Sequence, residues 1–203
     1  MFQKIEDFLS NLDTASISEG RKAKLQALVD FIQEKSDKQV PVRLNFICTH
    51  NSRRSHLSQV WAQTAATFLE VPNVTTYSAG TEATALFAKI SQTLEQTGFE
   101  IIKLSDETNP VYAIKAGENA LPIVGFSKTM DHAFNPQSGF AAIMTCDSAN
   151  ETCPFIAGAE KRIPITYEDP KVSDGTTKQD AVYAERSTQI ATEMKWVFEQ
   201  VRL

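Results

Sequence analysis

The chain has 203 residues, 42% of them hydrophobic, which is enough to bury one full core and a small appendage. Its 25 acidic residues outnumber its 20 basic ones, which argues against a nucleic-acid-binding protein. The sequence has no apolar run long enough to cross a membrane, and its first residues do not resemble a secretory signal. We therefore expect a cytoplasmic protein with reduced thiols.

Residues 1–40 are predicted to form a helical extension. Ser16 and Glu19 have the spacing of a helix capping box. An apolar stripe at helical spacing follows, formed by Leu25, Leu28, Val29 and Ile32. Because the polar face carries both signs of charge, we expect the extension to cover the domain surface or a partner subunit rather than a membrane.

Residues 41–203 are predicted to form one α/β domain in which strands and helices alternate. In chain order, we predict a strand at 42–47, a helix ending near 69, a strand near 75–77, a helix at about 83–97, a strand at 100–103, strands at 140–145 and 162–166, and a helix at about 179–201. This order predicts a central parallel sheet with helices on both faces and a site at the carboxyl ends of its strands.

Residues 109–139 interrupt this alternation. Two apolar runs, 111–114 and 121–126, flank a polar segment, and this pattern predicts an inserted β-hairpin. Beside the site, the hairpin would act as a lid or set specificity. Alternatively, it has no catalytic role or belongs to a dimer contact.

The first reactive motif is Cys48-Thr49-His50-Asn51-Ser52-Arg53-Arg54-Ser55, between a predicted strand and a predicted helix. A loop in this position turns successive backbone N–H groups toward a bound anion, and the helix N-terminus adds a positive field. Arg54 offers a planar fork for a tetrahedral oxyanion, and Ser55 a hydroxyl for the Cys48 thiolate. These features predict a nucleophilic cysteine. The alternative is a small buried Cys48 beside solvated arginines. The predicted oxyanion-binding residues are Thr49, His50, Asn51, Ser52, Arg53 and Arg54.

The second motif is the pair Cys146 and Cys153, again just after an apolar run. Two such thiols can pass electrons by thiol–disulfide exchange. The polar residues between them favour a mobile exposed turn over a packed helix. The alternatives are two inert thiols or a zinc site, but no histidine forms a zinc-binding pattern with these cysteines. We expect no metal and no cofactor.

The segment 46–55 resembles the phosphate loop of the low-molecular-weight protein tyrosine phosphatases and their relatives, the thioredoxin-coupled arsenate reductases. Residues 77–80 (YSAG) and Asp169-Pro170 follow in the family's order. The resemblance covers residues 42–203 and implies a flavodoxin-like three-layer sandwich. It also implies Cys48 as nucleophile, Arg54 as oxyanion clamp and Asp169 as general acid.

The pair Cys146 and Cys153 matches the reductase branch of this family. The resemblance implies that the two thiols form a disulfide relay with Cys48 and that thioredoxin is the reductant. From its pattern alone, Asp169 is better explained by turn chemistry before a proline, and Glu168 is its competitor as an acid.

This sequence departs from the family pattern at several positions. His50 stands where the family usually has glycine, and Arg53 where many relatives carry a second loop cysteine. Gln59 replaces a glutamate that helps some reductases to bind potassium. Lys171 and Val172 replace tyrosines common in the phosphatase branch, which weakens the phosphotyrosine interpretation.

Our first hypothesis is therefore a thiol-dependent arsenate reductase that acts on a small oxyanion through Cys48, Cys146 and Cys153. The second is a phosphomonoesterase, such as a low-molecular-weight phosphotyrosine phosphatase, that forms a phosphocysteine. The third is a non-catalytic oxyanion or redox sensor. None of these needs nucleic acid or a membrane, and a homodimer is compatible with all three.

Overall fold

The computed structural model describes residues 1–152 and 155–203. Its elements are, in chain order, α1 (Gln3–Ser10), α2 (Glu19–Asp37), β1 (Val42–Cys48), α3 (Arg54–Phe68), β2 (Val74–Gly80), α4 (Ala88–Thr97), β3 (Glu100–Lys103), β4 (Tyr112–Lys115), β5 (Ile123–Gly125), β6 (Phe140–Met144), α5 (Asp147–Thr152), β7 (Ala159–Pro164) and α6 (Gln179–Glu199). Single turns of 3₁₀ helix lie at Thr14–Ser16 and Pro170–Ser173.

The central sheet has four strands in the order β2-β1-β6-β7, and every neighbouring pair is parallel. The side chains of Leu44 and Phe46 in β1 join the main core, which α2, α3 and α6 share, whereas Ile47 faces a smaller cluster with Met144 and Ala149 on the other side. This alternation follows from the two-residue period of a strand. The predicted α/β fold with a parallel central sheet is confirmed.

The insertion forms the predicted hairpin, since β4 and β5 pair antiparallel. β3, which the alternation would place in the parallel sheet, instead pairs antiparallel with β4, and Ile101 lies opposite Ile114. The three strands form a second, separate sheet. β3 belongs there because the insertion offers its backbone a partner strand.

The N-terminal helices pack against α6, and the stripe predicted for α2 is buried in the main core. The predicted capping box is wrong. Ser18, not Ser16, caps α2, because its Oγ accepts a hydrogen bond from the Arg21 N–H. Ser16 donates instead to the Asp13 carbonyl in the preceding 3₁₀ turn.

Two helices differ from their predicted form. α4 begins at Ala88 rather than near residue 83, because the backbone N–H groups of Thr81 and Glu82 bond to the reactive loop. It ends as predicted at Gly98, which has a left-handed φ of 115°. The segment expected to be an exposed turn after Cys146 forms the short helix α5, in which Ala149 is buried.

No helix in the described ranges combines the length and the apolar character that a membrane span requires.

Candidate active site

The reactive residues meet at the carboxyl edge of the central sheet. Cys48 is the last residue of β1, Cys146 follows the end of β6, and Asp169 lies on the segment after β7. Since β1 lies between β2 and β6, the strand order reverses at this point, which is where parallel α/β sheets place their ligands. One small cavity is lined by Cys48, His50, Ser52, Arg53, Arg54 and Asp169.

The backbone carbonyl groups of residues 48–52 point away from this cavity, because each accepts a hydrogen bond from a group on the outer side of the loop. Cys48 O accepts from the Thr81 N–H at 3.2 Å, and Thr49 O from the Glu82 N–H at 2.8 Å. The remaining acceptor–donor pairs are His50 O with Thr84 Oγ1 and Ser127 Oγ, Asn51 O with His56 Nε2, and Ser52 O with the Phe87 N–H.

The backbone N–H groups of residues 49–53 donate to no acceptor within the described part of the chain. Successive N–H groups left without partners at the start of a helix form a concave anion-binding site. α3 begins directly after them, at Arg54. The loop is therefore built to receive an oxyanion beside the Cys48 thiol.

The left-handed residue of the loop is Asn51, with φ of 43°, and not His50, which stands at the family's glycine position. Asparagine tolerates this conformation better than most residues. The His50 side chain is half exposed at the mouth of the cavity, with Nε2 3.7 Å from Glu82 Oε2. Histidine is thus accommodated without backbone strain.

Gly80 explains why the second motif ends in glycine. A Cβ at this position would lie 2.4 Å from Glu82 O and 2.7 Å from both Asn51 N and Thr49 O. Glycine is thus required because the loop backbone packs directly on the end of β2.

A buried chain of hydrogen bonds leads to the Cys48 sulfur. Asn51 Nδ2 donates to Ser55 Oγ at 2.8 Å, and Ser55 Oγ lies 3.1 Å from Cys48 Sγ. Asn51 Oδ1 in turn accepts from the Lys128 backbone N–H at 2.8 Å. Because Asn51 donates to the Ser55 oxygen, the Ser55 proton is free to point at the Cys48 sulfur.

Behind this chain lies a second polar group formed by His56, Ser78 and Lys128. His56 Nε2 bonds to the Asn51 carbonyl at 3.0 Å, and its Nδ1 lies 3.3 Å from Ser78 Oγ, which lies 3.4 Å from Lys128 Nζ. Burial, with the Lys128 charge, lowers the pKa of His56 to about 3, while the Asn51 carbonyl opposes the change. Burial also lowers the pKa of Lys128 to about 7. His56 is therefore neutral.

Arg54 and Asp169 face each other across the cavity. Arg54 Nη2 donates to Asp169 Oδ2 at 2.6 Å, and Nη1 to the Tyr167 carbonyl at 2.9 Å. Asp169 Oδ1 also accepts the Lys171 N–H, so the carboxylate forms a turn and faces the cavity at the same time. Glu168 is almost fully exposed, pairs with Arg186 and does not line the cavity.

The Arg53 side chain points in a different direction from that of Arg54. Its Nε donates to Tyr183 Oη and its Nη2 to Asp174 Oδ2, both at 2.7 Å. Its guanidinium carbon lies 4.0 Å from the centre of the Phe87 ring. Arg53 thereby ties the loop to α6 and to the segment that follows Asp169.

Cys146 lies beside the reactive loop and is buried. Its Sγ is 3.5 Å from Thr49 Oγ1 and accepts the Ala149 N–H at 3.4 Å, at the start of α5. The structure therefore brings Cys146 next to the residue that follows Cys48. Cys153, the second thiol of the predicted relay, lies outside the described residues.

The insertion contacts the back of the loop rather than its open side. Ser127 donates to the His50 carbonyl, and Lys128 contributes the backbone bond to Asn51. Gln59, at the position of the potassium-binding glutamate, donates to the Thr76 and Val124 carbonyls and so joins β2 to β5. Within residues 1–152 and 155–203, no three acidic, histidine or cysteine side chains gather into a metal-binding group.

Sequence reasoning did not assign Ser78, His56 or Lys128 to the site. The motif at residues 77–80 includes Ser78 and could have drawn attention to it. No local sequence pattern marks His56 on α3 or Lys128 in the insertion as residues of the site. Their roles depend on the approach of three separate elements.

Comparison with solved structures identifies the fold. An arsenate reductase in its phosphate-binding state is 15% identical and matches 79% of this chain and 99% of its own, with a TM-score of 0.53. A low-molecular-weight protein tyrosine phosphatase from T. tengcongensis gives the same four values. A low-molecular-weight phosphotyrosine phosphatase from Vibrio cholerae O395 is 13% identical, with 77% and 93% covered and a TM-score of 0.51.

No protein-family profile and no curated protein sequence matches this chain. At such identities the structural likeness establishes the fold, and the fold is the one that the sequence motifs predict. The chain has the fold of the low-molecular-weight protein tyrosine phosphatases, which an arsenate reductase shares.

Proposed function

We propose that this protein is a thiol-dependent arsenate reductase. The observation that carries the proposal is the position of Cys146, a second buried thiol. Its Sγ lies 3.5 Å from Oγ1 of Thr49, the residue that follows the proposed nucleophile Cys48. A phosphate ester needs no second thiol for hydrolysis, whereas reduction of arsenate needs two electrons from thiols. The backbone N–H groups of residues 49–53, which have no acceptor among the described residues, support binding of the oxyanion, and so does the guanidinium of Arg54.

In the first step, the Cys48 thiolate attacks arsenic, and one arsenate oxygen leaves as water after protonation, for which Asp169 is the acid. The product holds As(V) on the Cys48 sulfur. In the second step, the Cys146 thiolate attacks Cys48 Sγ, and the electron pair of the breaking S–As bond passes to arsenic. Arsenite leaves, and a Cys48–Cys146 disulfide remains.

Cys153 completes the proposed relay. Its thiolate attacks Cys146 Sγ, releases the Cys48 thiolate and leaves a Cys146–Cys153 disulfide. A dithiol reductant of the thioredoxin type then reduces this disulfide and returns all three thiols to the starting state.

The experiment measures arsenate-dependent NADPH oxidation with thioredoxin and thioredoxin reductase, for wild type and for Cys48→Ser, Cys146→Ser and Cys153→Ser. We expect turnover in the wild type alone. Hydrolysis of an aryl phosphate is the control for loop integrity, because it should survive in Cys146→Ser and Cys153→Ser and vanish in Cys48→Ser. Arsenate turnover that survives in Cys146→Ser would refute the relay.

A phosphomonoesterase is the second candidate, and the position of Asp169 favours it. The Asp169 carboxyl lies at the cavity, 2.6 Å from Arg54 Nη2, and in its protonated form it is the donor for the leaving oxygen of a phosphate ester. No arsenate turnover in the wild type, together with Cys48-dependent hydrolysis of the aryl phosphate, would replace the first proposal with this one.

A further inference from the structure

The segment Thr166–Asp169, which carries the proposed acid, is bonded by arginines from two sides. On the cavity side, Arg54 binds the Tyr167 carbonyl and Asp169. On the opposite side, Arg21 Nη1 donates to the Thr166 carbonyl at 3.2 Å. The Arg21 guanidinium also lies 4.8 Å from the centre of the Tyr167 ring. The second arginine comes from the N-terminal helical extension, to which no catalytic role has been given.

Arg21 is itself held rigidly. Its Nε donates to Glu193 Oε1 at 2.9 Å and its Nη2 to Glu193 Oε2 at 2.8 Å, a bidentate pair with α6. The Glu193 side chain is 4% exposed and that of Arg21 17% exposed. Planar, two-point pairing of this kind fixes the direction of a guanidinium, and burial strengthens it.

The helix that carries Arg21 is also anchored. Arg21 lies in the first turn of α2, where its N–H is capped by Ser18. Leu25, Leu28 and Ile32 of the same helix are fully buried in the core shared with the rest of the chain. Arg21 therefore links the Thr166 carbonyl to two helices, α2 and α6, that are packed in the main core.

From these contacts we infer that Arg21 is a positioning residue for Asp169 and that the N-terminal helices are part of the active-site framework. The inference rests on the proposed function in one respect, that Asp169 protonates the departing oxygen. Arg21 is not among the residues that line the cavity. It acts by holding the backbone three residues before the acid, so that Asp169 stays over the cavity.

The test substitutes Arg21→Lys, which keeps a positive charge beside Glu193 but loses the fork that reaches Thr166. The matched control is Lys195→Met. Lys195 is a comparably buried cation that joins α6 to the extension through the Leu12 carbonyl. Among the described residues its polar partners are this carbonyl and Glu199, neither of which belongs to residues 166–169. Both variants disturb the docking of the extension, but only one disturbs the acid-bearing segment.

The first readout is hydrogen exchange at the Tyr167 amide, which donates to the Thr145 carbonyl at 3.1 Å. We expect faster exchange there in Arg21→Lys than in wild type and no change in Lys195→Met. Unchanged protection of this amide in Arg21→Lys would overturn the inference whatever the activity of the enzyme.

The second readout is kcat on phenyl phosphate, a poor leaving group, and on p-nitrophenyl phosphate, a good one. A displaced acid costs more on the poor leaving group, so we expect a loss of about tenfold on phenyl phosphate and less than about threefold on p-nitrophenyl phosphate in Arg21→Lys. Lys195→Met should retain both rates. Equal losses on both substrates in Arg21→Lys would overturn the inference.

Asp169→Asn is assayed in parallel. It shows whether a negative result concerns only the positioning role of Arg21 or also the proposed role of Asp169 as the acid. A selective loss on phenyl phosphate in Asp169→Asn but not in Arg21→Lys overturns the role of Arg21 alone. No selectivity in Asp169→Asn removes the acid role of Asp169, and with it the positioning role of Arg21.

Discussion

The buried Lys128 permits a quantitative prediction of how stability depends on pH. Its side chain is 1% exposed, between the Phe126 and Phe134 rings, and its Nζ donates to the Phe126 carbonyl at 3.1 Å. Burial lowers its pKa from 10.5 to about 7. At about 1.4 kcal/mol for each factor of ten, this change corresponds to about 5 kcal/mol in favour of the neutral amine.

The direction in which stability changes with pH follows from the number of protons bound to the folded and to the unfolded chain. Between pH 7 and pH 10.5 the Lys128 amine is protonated in the unfolded chain and neutral in the folded one, so stability rises with pH. The stability gained when Lys128 is neutral is complete above pH 10.5 and is lost as the pH falls toward 7. The expected slope is about 1.4 kcal/mol per pH unit, or about 2–3 kcal/mol between pH 7.5 and 9.5.

The assay is urea unfolding of wild type and Lys128→Met at pH 7.5, 8.5 and 9.5. Methionine removes the titrating amine at similar volume. The free energy of unfolding of Lys128→Met should therefore fall relative to wild type by about 2–3 kcal/mol as the pH rises across this range. Lys24→Met, at an exposed position on α2, is the control and should show a difference that does not vary with pH. A constant difference for Lys128→Met would refute the reasoning.

Three further predictions concern the loop and its support. Gly80→Ala should destabilise the protein by about 1–3 kcal/mol and abolish Cys48-dependent turnover, because its Cβ would meet loop backbone; unchanged urea midpoints and rates would contradict this. In urea unfolding, wild type should lose about 1.4 kcal/mol of stability per pH unit more than His56→Gln as the pH falls from 6.5 toward 4. The reason is that the pKa of His56 is lowered to about 3 in the folded protein. An equal dependence of stability on pH in the two proteins would contradict this. Arg54→Lys should lower kcat about 100-fold in the arsenate or aryl phosphate assay, because a lysine makes no bidentate contact; a loss below tenfold would argue against the clamp.

The local sequence alone was enough to predict how the loop at residues 48–55, the proposed oxyanion site, is arranged. Residues 48–55 follow one another between a strand and a helix, so chain connectivity alone brings their N–H groups and the Arg54 fork near Cys48. The hairpin and the parallel sheet were predicted for a similar reason, because their signals are periodicity and turn residues within short segments.

The errors arose where a distant contact overrides a local preference. α4 starts late because residues 81 and 82 bond to the loop, and β3 leaves the parallel sheet because the insertion supplies a partner strand. The segment after Cys146 is polar, yet it forms a helix because Ala149 packs into the cluster on the second face of the sheet.

By itself, the sequence determined the α/β class and the location of the proposed nucleophilic loop with its arginine, since these depend on the spacing of neighbouring residues. Only the tertiary structure decided that Arg21 holds the segment of Asp169, 145 residues beyond it at Thr166, and that Lys128 reaches Asn51 across 77 residues. The physical reason is that such partners share no local pattern. They meet because the burial of a common core brings their elements together.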